Sequence, residues 1–296
     1  MSSRFNTFLN AVNRLVLSLF MPDLKRQMEI EGTLDIQEDP SQPIENADYM
    51  RVEDNGADTT IFIFSGLDVL YAGLARFEFQ KVLQQINCDA NFVFMRDVHR
   101  KAFLLKPDGT PGGLAFYASE IERVRNELGT KRAISMGSSV GGSIAFAMGA
   151  RLGFDQVIIF GAAFEVNAFN SPMRMLRTVF DFYKLFTEPK AYFELIVVTL
   201  GAAWGKKQLL SNFAADELPT PLTILSEVDK KPDIRLYYGK TAWPDAAQAA
   251  MLIEVHPEAE LYALPTGRHN TPAFLKQHGK LAEAISTGIM HTPFSM

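Results

Sequence analysis

Five short, largely apolar runs recur along the chain: IFIFSG at 61–66, NFVFMR at 91–96, RAISMG at 132–137, QVIIFG at 156–161 and IRLYYG at 234–239. Runs without a regular polar alternation are what strands covered on both faces of a sheet look like. Helix-like segments lie between them, at 72–86, 114–128 and 141–153, and the pattern resumes after 239 with a helix at 246–255, the strand ELYALP at 260–265 and a last helix at 272–286. Strands that alternate with helices build βαβ units around a parallel sheet. The spacing therefore predicts an α/β fold, a mostly parallel central sheet with helices on both faces. Short alternating pieces at 32–54, split by Pro and Asn, read as edge strands.

The rhythm breaks after Phe164, and the next strand begins only at 234. The interval is helix-like and rich in aromatics (Phe180, Phe182, Tyr183, Phe186, Tyr192, Phe193, Trp204). The expected organisation is an amphipathic helix and lead-in at 1–30, a core made of 31–164 and 231–296, and a helical insertion late in the sheet at 165–230. Leaving from the carboxyl end of a strand, the insertion would form a lid or an apolar pocket; ordinary helix packing is the other reading. Its AYFELIVVTLGAAW stretch at 191–204 carries Glu194, is too short to span a bilayer, and reads as a helix covering apolar surface of the same molecule.

Residues 5–21 place Phe5, Phe8, Leu9, Val12, Val16, Leu19 and Phe20 at helical spacing, with Asn6, Asn10, Asn13 and Arg14 interrupting the run. A signal-peptide core is uninterrupted and followed by a small-residue cleavage site, which Met21-Pro22-Asp23 does not provide. The expectation is a helix docked on the main domain or on a second copy of the chain; peripheral contact with a membrane surface or another protein stays open. A net charge of −5, from 29 basic and 34 acidic residues, argues against binding nucleic acid by phosphate neutralisation. The one cysteine, Cys88, excludes an intramolecular disulfide framework and fits a reducing compartment; the expected location is cytoplasmic, although a cysteine-poor exported protein would look the same. With no HExxH and no paired histidines at ligand spacing, neither a metal nor a cofactor is expected. GSSVGG lacks the lysine of a phosphate loop.

Gly137-Ser138-Ser139-Val140-Gly141 matches G-x-S-x-G, with Ser139 at its centre. The string is common by chance, and its context gives it weight. It closes the apolar strand RAISMG and opens the helix-like GGSIAFAMGARLG. A serine on a tight strand-to-helix turn sits in strained geometry, which small residues two before and two after it relieve. Its hydroxyl then faces a helix N-terminus, where free N–H groups and the dipole favour developing negative charge. A turn that simply favours small residues is the bland alternative.

From about residue 58 to 287 the chain resembles the α/β-hydrolase family. The family's order is nucleophile, acid, histidine. The resemblance implies Ser139 as nucleophile and His269, in PTGRHNTPAF between the last strand and the last helix, as base. It implies an acid after the penultimate strand. The position three beyond Gly239 is Ala242, so that role falls to Asp245 at the head of the next helix, where a plain helix N-cap is the competing reading. Glu165, after QVIIFG, is the alternative acid. The backbone amides of Val140 and Leu67 would form the oxyanion hole, although Ser65-Gly66 stands where many members have His-Gly.

Arg96-Asp97 follows NFVFMR at the carboxyl edge of the sheet, where such folds bind ligands, so the pair is a candidate for substrate contact or for an ion pair bracing its loop. A strand-Arg-Asp arrangement and the Gly239-to-Asp245 interval are also similar to hydrolase-like proteins of surface-glycan pathways, which implies an acyl group on a sugar or polyol. The implied activity is a serine esterase acting on a small-molecule or glycan-linked ester. An acyltransferase with the same acyl-enzyme, and a non-catalytic interaction module using the N-terminal helix, are the alternatives. A homo-oligomer is compatible with the sequence.

Overall fold

The computed structural model describes residues 48–66, 77–86, 88–99, 101–162, 164, 177–178, 180–189, 191–196, 198–199 and 221–296, together with Ser18. Seven strands form one sheet: β1 (Met50–Glu53), β2 (Thr59–Phe64), β3 (Asn91–Met95), β4 (Arg132–Ser138), β5 (Gln156–Ala162), β6 (Asp233–Gly239) and β7 (Glu260–Leu264). Their spatial order is β1-β3-β2-β4-β5-β6-β7. Every neighbouring pair is parallel except β1 with β3, which is antiparallel. Of the edge strands expected over 32–54, the described part is β1; residues 32–47, like the whole of the expected 1–30 helix apart from Ser18, lie outside the described residues.

Among the described residues the helices are α1 (Gln80–Leu83), α2 (Gly113–Glu127), α3 (Ser139–Arg151), α4 (Phe182–Thr187), α5 (Pro221–Glu227), α6 (Trp243–Val255), α7 (Thr271–Gln277) and α8 (Leu281–Ile289), and residues 191–196 are helical as well. Consecutive strand residues point to opposite faces, and here both faces are covered. Ile61, Ile63, Phe92, Phe94, Ile158 and Phe160 pack with Leu275 of α7 and Ile285 and Ile289 of α8. On the other side Phe62, Phe64, Val93 and Met95 meet Tyr117 and Ile121 of α2 and Ile144 and Met148 of α3. Val157 and Ile159 share that side with Phe146, Leu222, Leu225 and Leu252. Two-sided burial is why these strands read as continuous apolar runs.

Three expected elements differ from the observed ones. The helix expected over 72–86 is, among the described residues, the single turn of α1, which starts only after Phe79 takes a left-handed φ of 62°. The terminal helix is divided into α7 and α8 at Gly279, whose φ of 68° ends a helix readily. α6 begins three residues earlier than the periodicity suggests, with Pro244 in its first turn, a position where a missing N–H costs nothing. Within the interval taken as an insertion, α5 packs its Leu222 and Leu225 into the core rather than over the sheet edge.

Candidate active site at the carboxyl edge of the sheet

Ser139 is the first residue of α3, directly after β4, and has a φ of 51°. A side chain in the left-handed region costs about 1–2 kcal/mol, so the surrounding packing must enforce it. A Cβ on Gly137 would run into the carbonyl of Gly141, and one on Gly141 would run into the carbonyls of Phe64 and Ser65. β4, α3 and the end of β2 therefore touch backbone to backbone, and the turn between them has no slack. The short helix start leaves the first N–H groups of α3, Val140 among them, without intrahelical partners. The other expected amide, Leu67, lies outside the described residues.

His269 comes from the loop between β7 and α7. That loop crosses the ends of two neighbouring strands where glycines let it approach: a Cβ on Gly161 (φ 56°) would strike the His269 carbonyl, and one on Gly239 would press on the Arg268 carbonyl. Asn270 then caps α7 by accepting from the Ala273 N–H at 3.0 Å. These contacts fix the backbone on both sides of the histidine.

The structure brings Ser139, His269 and Asp245 together. His269 Nε2 is 2.9 Å from Ser139 Oγ, and Nδ1 is 2.7 Å from Asp245 Oδ1. A carboxylate only accepts, so the imidazole proton sits on Nδ1 and Nε2 is left to accept from the serine hydroxyl. Asp245 is 1 % exposed and His269 5 %. Asp245 is not the N-cap of α6; Ala242 is. Its second oxygen lies 3.4 Å from the Gly239 N–H, which donates to it. Full burial pushes the Asp245 carboxyl above the ordinary carboxylate range, and the His269 charge and hydrogen bond and the Gly239 N–H pull it back. For His269 burial works against the charged ring, but the Asp245 charge and hydrogen bond, with the Glu194 charge behind them, outweigh it and raise the ring above its ordinary 6.5. Glu165 lies outside the described residues.

Arg96 and Asp97 do not meet the relay. Asp97 is buried and turned into its own loop, where it accepts from the N–H groups of His99 and Phe103, both at 3.0 Å. Burial raises its carboxyl, and those N–H groups partly offset the effect. The Arg96 guanidinium stacks over the Phe77 ring at 4.4 Å, and its Nε donates to the Asp48 carbonyl. Both side chains brace the β3 end of the sheet, and they do so separately rather than as an ion pair with each other.

Two acidic residues that sequence reasoning gave no part in the site belong to its surroundings. Glu78 accepts from the Ser138 hydroxyl at 2.6 Å, and its N–H donates to Ser65 Oγ at 3.3 Å. Ser65, which stands where many α/β-hydrolases have histidine, thus joins the end of β2 to Glu78. Glu194, in the helical residues 191–196, is 6 % exposed and accepts from Arg268 Nε at 3.0 Å and from the Asn270 N–H. A lone carboxylate in an apolar run was the available signal, since such a group is almost never buried without a partner.

No family model and no curated protein matches the chain in sequence. Solved structures do match in shape. A Staphylococcus aureus protein provisionally classed as an esterase is 14 % identical with a TM-score of 0.57, over 94 % of this chain and 95 % of that one. The capsule O-acetyltransferase of Neisseria meningitidis serogroup A is 16 % identical with a TM-score of 0.52, over 82 % and 92 %. MenH from S. aureus is 12 % identical with a TM-score of 0.51, over 83 % and 99 %. The fold is the α/β-hydrolase fold, with the site at the carboxyl edge where its strands end. Among the described residues no helix is long and apolar enough to cross a membrane.

Proposed function

We propose that the protein is a serine hydrolase that cleaves a carboxylic ester through an acyl-enzyme. The observation that carries this reading is the hydrogen-bonded line from Ser139 through His269 to Asp245, with the serine on a strained strand-to-helix turn. A serine hydroxyl is a poor nucleophile at neutral pH. His269 Nε2 takes its proton as Oγ attacks the ester carbonyl, then returns it to the departing alkoxide. Asp245 holds the ring in the tautomer that leaves Nε2 free and stabilises the imidazolium formed in each half-reaction. The oxyanion is held by the Val140 N–H at the start of α3 and by a second amide, for which Leu67 remains our assignment. Water attacks the acyl-enzyme in the second half, with His269 again as base.

Transfer of the acyl group to an alcohol is the second reading. The same acyl-enzyme serves it, and a capsule O-acetyltransferase is among the proteins of the same fold. For either reaction, an acyl group on a sugar or polyol is the substrate class we favour, on the Gly239-to-Asp245 interval.

A fluorophosphonate probe tests the proposal. The wild-type protein should be labelled covalently and turn over p-nitrophenyl acetate, and Ser139→Ala should do neither. Folded wild-type protein that is neither labelled nor active would leave a non-catalytic interaction module. Adding an acceptor alcohol separates the two reactions: transfer gives a new ester, hydrolysis only free acid.

A further inference from the structure

The segment that interrupts the sheet touches both loops that carry the relay partners of Ser139. Trp243 Nε1, at the head of α6, donates to Thr178 Oγ1 at 3.0 Å. Lys184 of α4 donates to the carbonyl of Thr241 at 3.2 Å. Glu194 engages the residues on either side of His269, the Arg268 side chain and the Asn270 backbone. The first two contacts lie just before Asp245 and the third encloses the histidine. Arg268 is only 13 % exposed, so its ion pair with Glu194 is nearly dry, where electrostatic interactions are stronger than in water.

We propose that Glu194 is a positioning residue: it fastens the inserted segment to the His269 loop and sets both the placement and the proton affinity of the imidazole. The inference rests on the hydrolase reading and adds to it a carboxylate that touches no reacting atom. The Asn270 cap of α7 and the strand-end glycines already hold the loop backbone near the histidine. Glu194 adds a hold from the inserted segment: its two oxygens engage residues 268 and 270 at once, so the residue between them has little freedom to turn. Among the described residues, the charged groups around the ring are Asp245 from α6, Arg268 from its own loop and Glu194 from the insertion, with Lys184 and Glu188 close by at Gly267. Replacing Glu194 by Gln removes a negative charge and leaves the Arg268 cation without its partner. Both changes disfavour the imidazolium, so the ring should titrate at lower pH, a direction that agrees with the upward influence of Glu194 on the ring.

The test uses the full chain. The His269 Cε1–H resonance, assigned by its loss in His269→Gln, is titrated by NMR in the wild type and in Glu194→Gln, and fluorophosphonate labelling rates are measured on the same samples. We expect the titration midpoint to move to lower pH and the labelling rate at neutral pH to fall about tenfold or more, because misplacing a reacting group is costly. Glu194→Asp keeps the charge on a shorter stem and should restore the midpoint more fully than the rate. A folded Glu194→Gln protein with either quantity at its wild-type value overturns the proposal. If that variant does not fold, Glu194→Gln/Arg268→Met removes both buried charges, and a wild-type labelling rate in it has the same force. Wild-type protein that fails to label sinks the hydrolase reading instead, and the NMR midpoint then decides the link between Glu194 and His269 alone.

Discussion

Ser139 stands on a turn between two elements that follow one another in the chain, and its unusual φ is imposed by glycine backbones packed against carbonyls of the same small region. His269 reaches the same point from 130 residues away. It depends on a carboxylate from α6, on strand-end glycines of β5 and β6, and on Glu194 from the inserted segment. The nucleophile side is thus a local, sheet-embedded device, and the base side is assembled from several distant pieces. A substitution on the first should change stability and activity together. On the second, activity can be lost while the fold stays intact.

The largest effect should come from the assembled side. Asp245→Asn should lower ester turnover on the order of 10⁴-fold, since an amide cannot enforce the tautomer that leaves Nε2 as acceptor. Glu165→Gln should leave turnover within a few-fold. Steady-state kinetics on the two variants, with circular dichroism to confirm folding, makes the comparison; equal small losses would remove Asp245 from the relay.

On the local side, Gly141→Ala should cost about 1–3 kcal/mol or more of stability, because the new Cβ meets the backbone of Phe64 and Ser65 rather than a side chain that can move. Denaturant melts and fluorophosphonate labelling should fall together. A stable Gly141→Ala protein with full labelling would mean that the turn has room, and that its strain is not held by the contacts described.

This division also governs how much could be read before the structure. The parallel sheet was legible because β2, β3, β4 and β5 are covered on both faces and so carry no polar alternation. Ser139 was legible because strand, glycine spacing and helix lie in one stretch of chain. His269 and Asp245 were placed by the order of roles along the family pattern. The start of α6 was read too late because the apolar period becomes regular only after Asp245, although Pro244 in the first turn is itself a helix-opening signal, and this left an N-cap reading for Asp245 that Ala242 fills. The partners of Glu78 and Glu194 were not legible, although the lone carboxylate of Glu194 in an apolar run marks it as a group that needs one. Each carboxylate meets a partner 60 to 76 residues distant in the chain, and no local pattern encodes such a meeting.

pH dependence probes the electrostatics of the assembled side. Attack needs the neutral ring, so kcat/KM should fall as pH drops and the imidazole takes up a proton. Because the Asp245 and Glu194 charges outweigh burial and raise His269 above 6.5, the midpoint of that fall should lie above pH 6.5. In Asp245→Asn the residual activity should lose its acid limb at lower pH than the wild type, because the main charge favouring the imidazolium is gone. A wild-type midpoint below 6.5 would mean that burial prevails over the carboxylates at this site.

The smallest effect isolates the strain at Ser139 from its chemistry. Neither Ser139→Ala nor Ser139→Gly can form an acyl-enzyme, so both should be inactive. They differ in backbone preference alone: Ala keeps a Cβ in the left-handed region, where a side chain costs about 1–2 kcal/mol, while Gly adopts a φ of 51° freely but loses about 0.5–1 kcal/mol through its looser unfolded chain. The Gly variant should therefore be at least as stable as the Ala variant, by up to about 1.5 kcal/mol, read as a difference in denaturation midpoints at equal slope. If Ala is more stable than Gly by about 0.5–1 kcal/mol, the full cost of glycine's looser unfolded chain, the turn stores no strain. The local device would then be a loose turn kept in shape by the histidine it binds, and the two sides of the site would not differ in the way their contacts indicate.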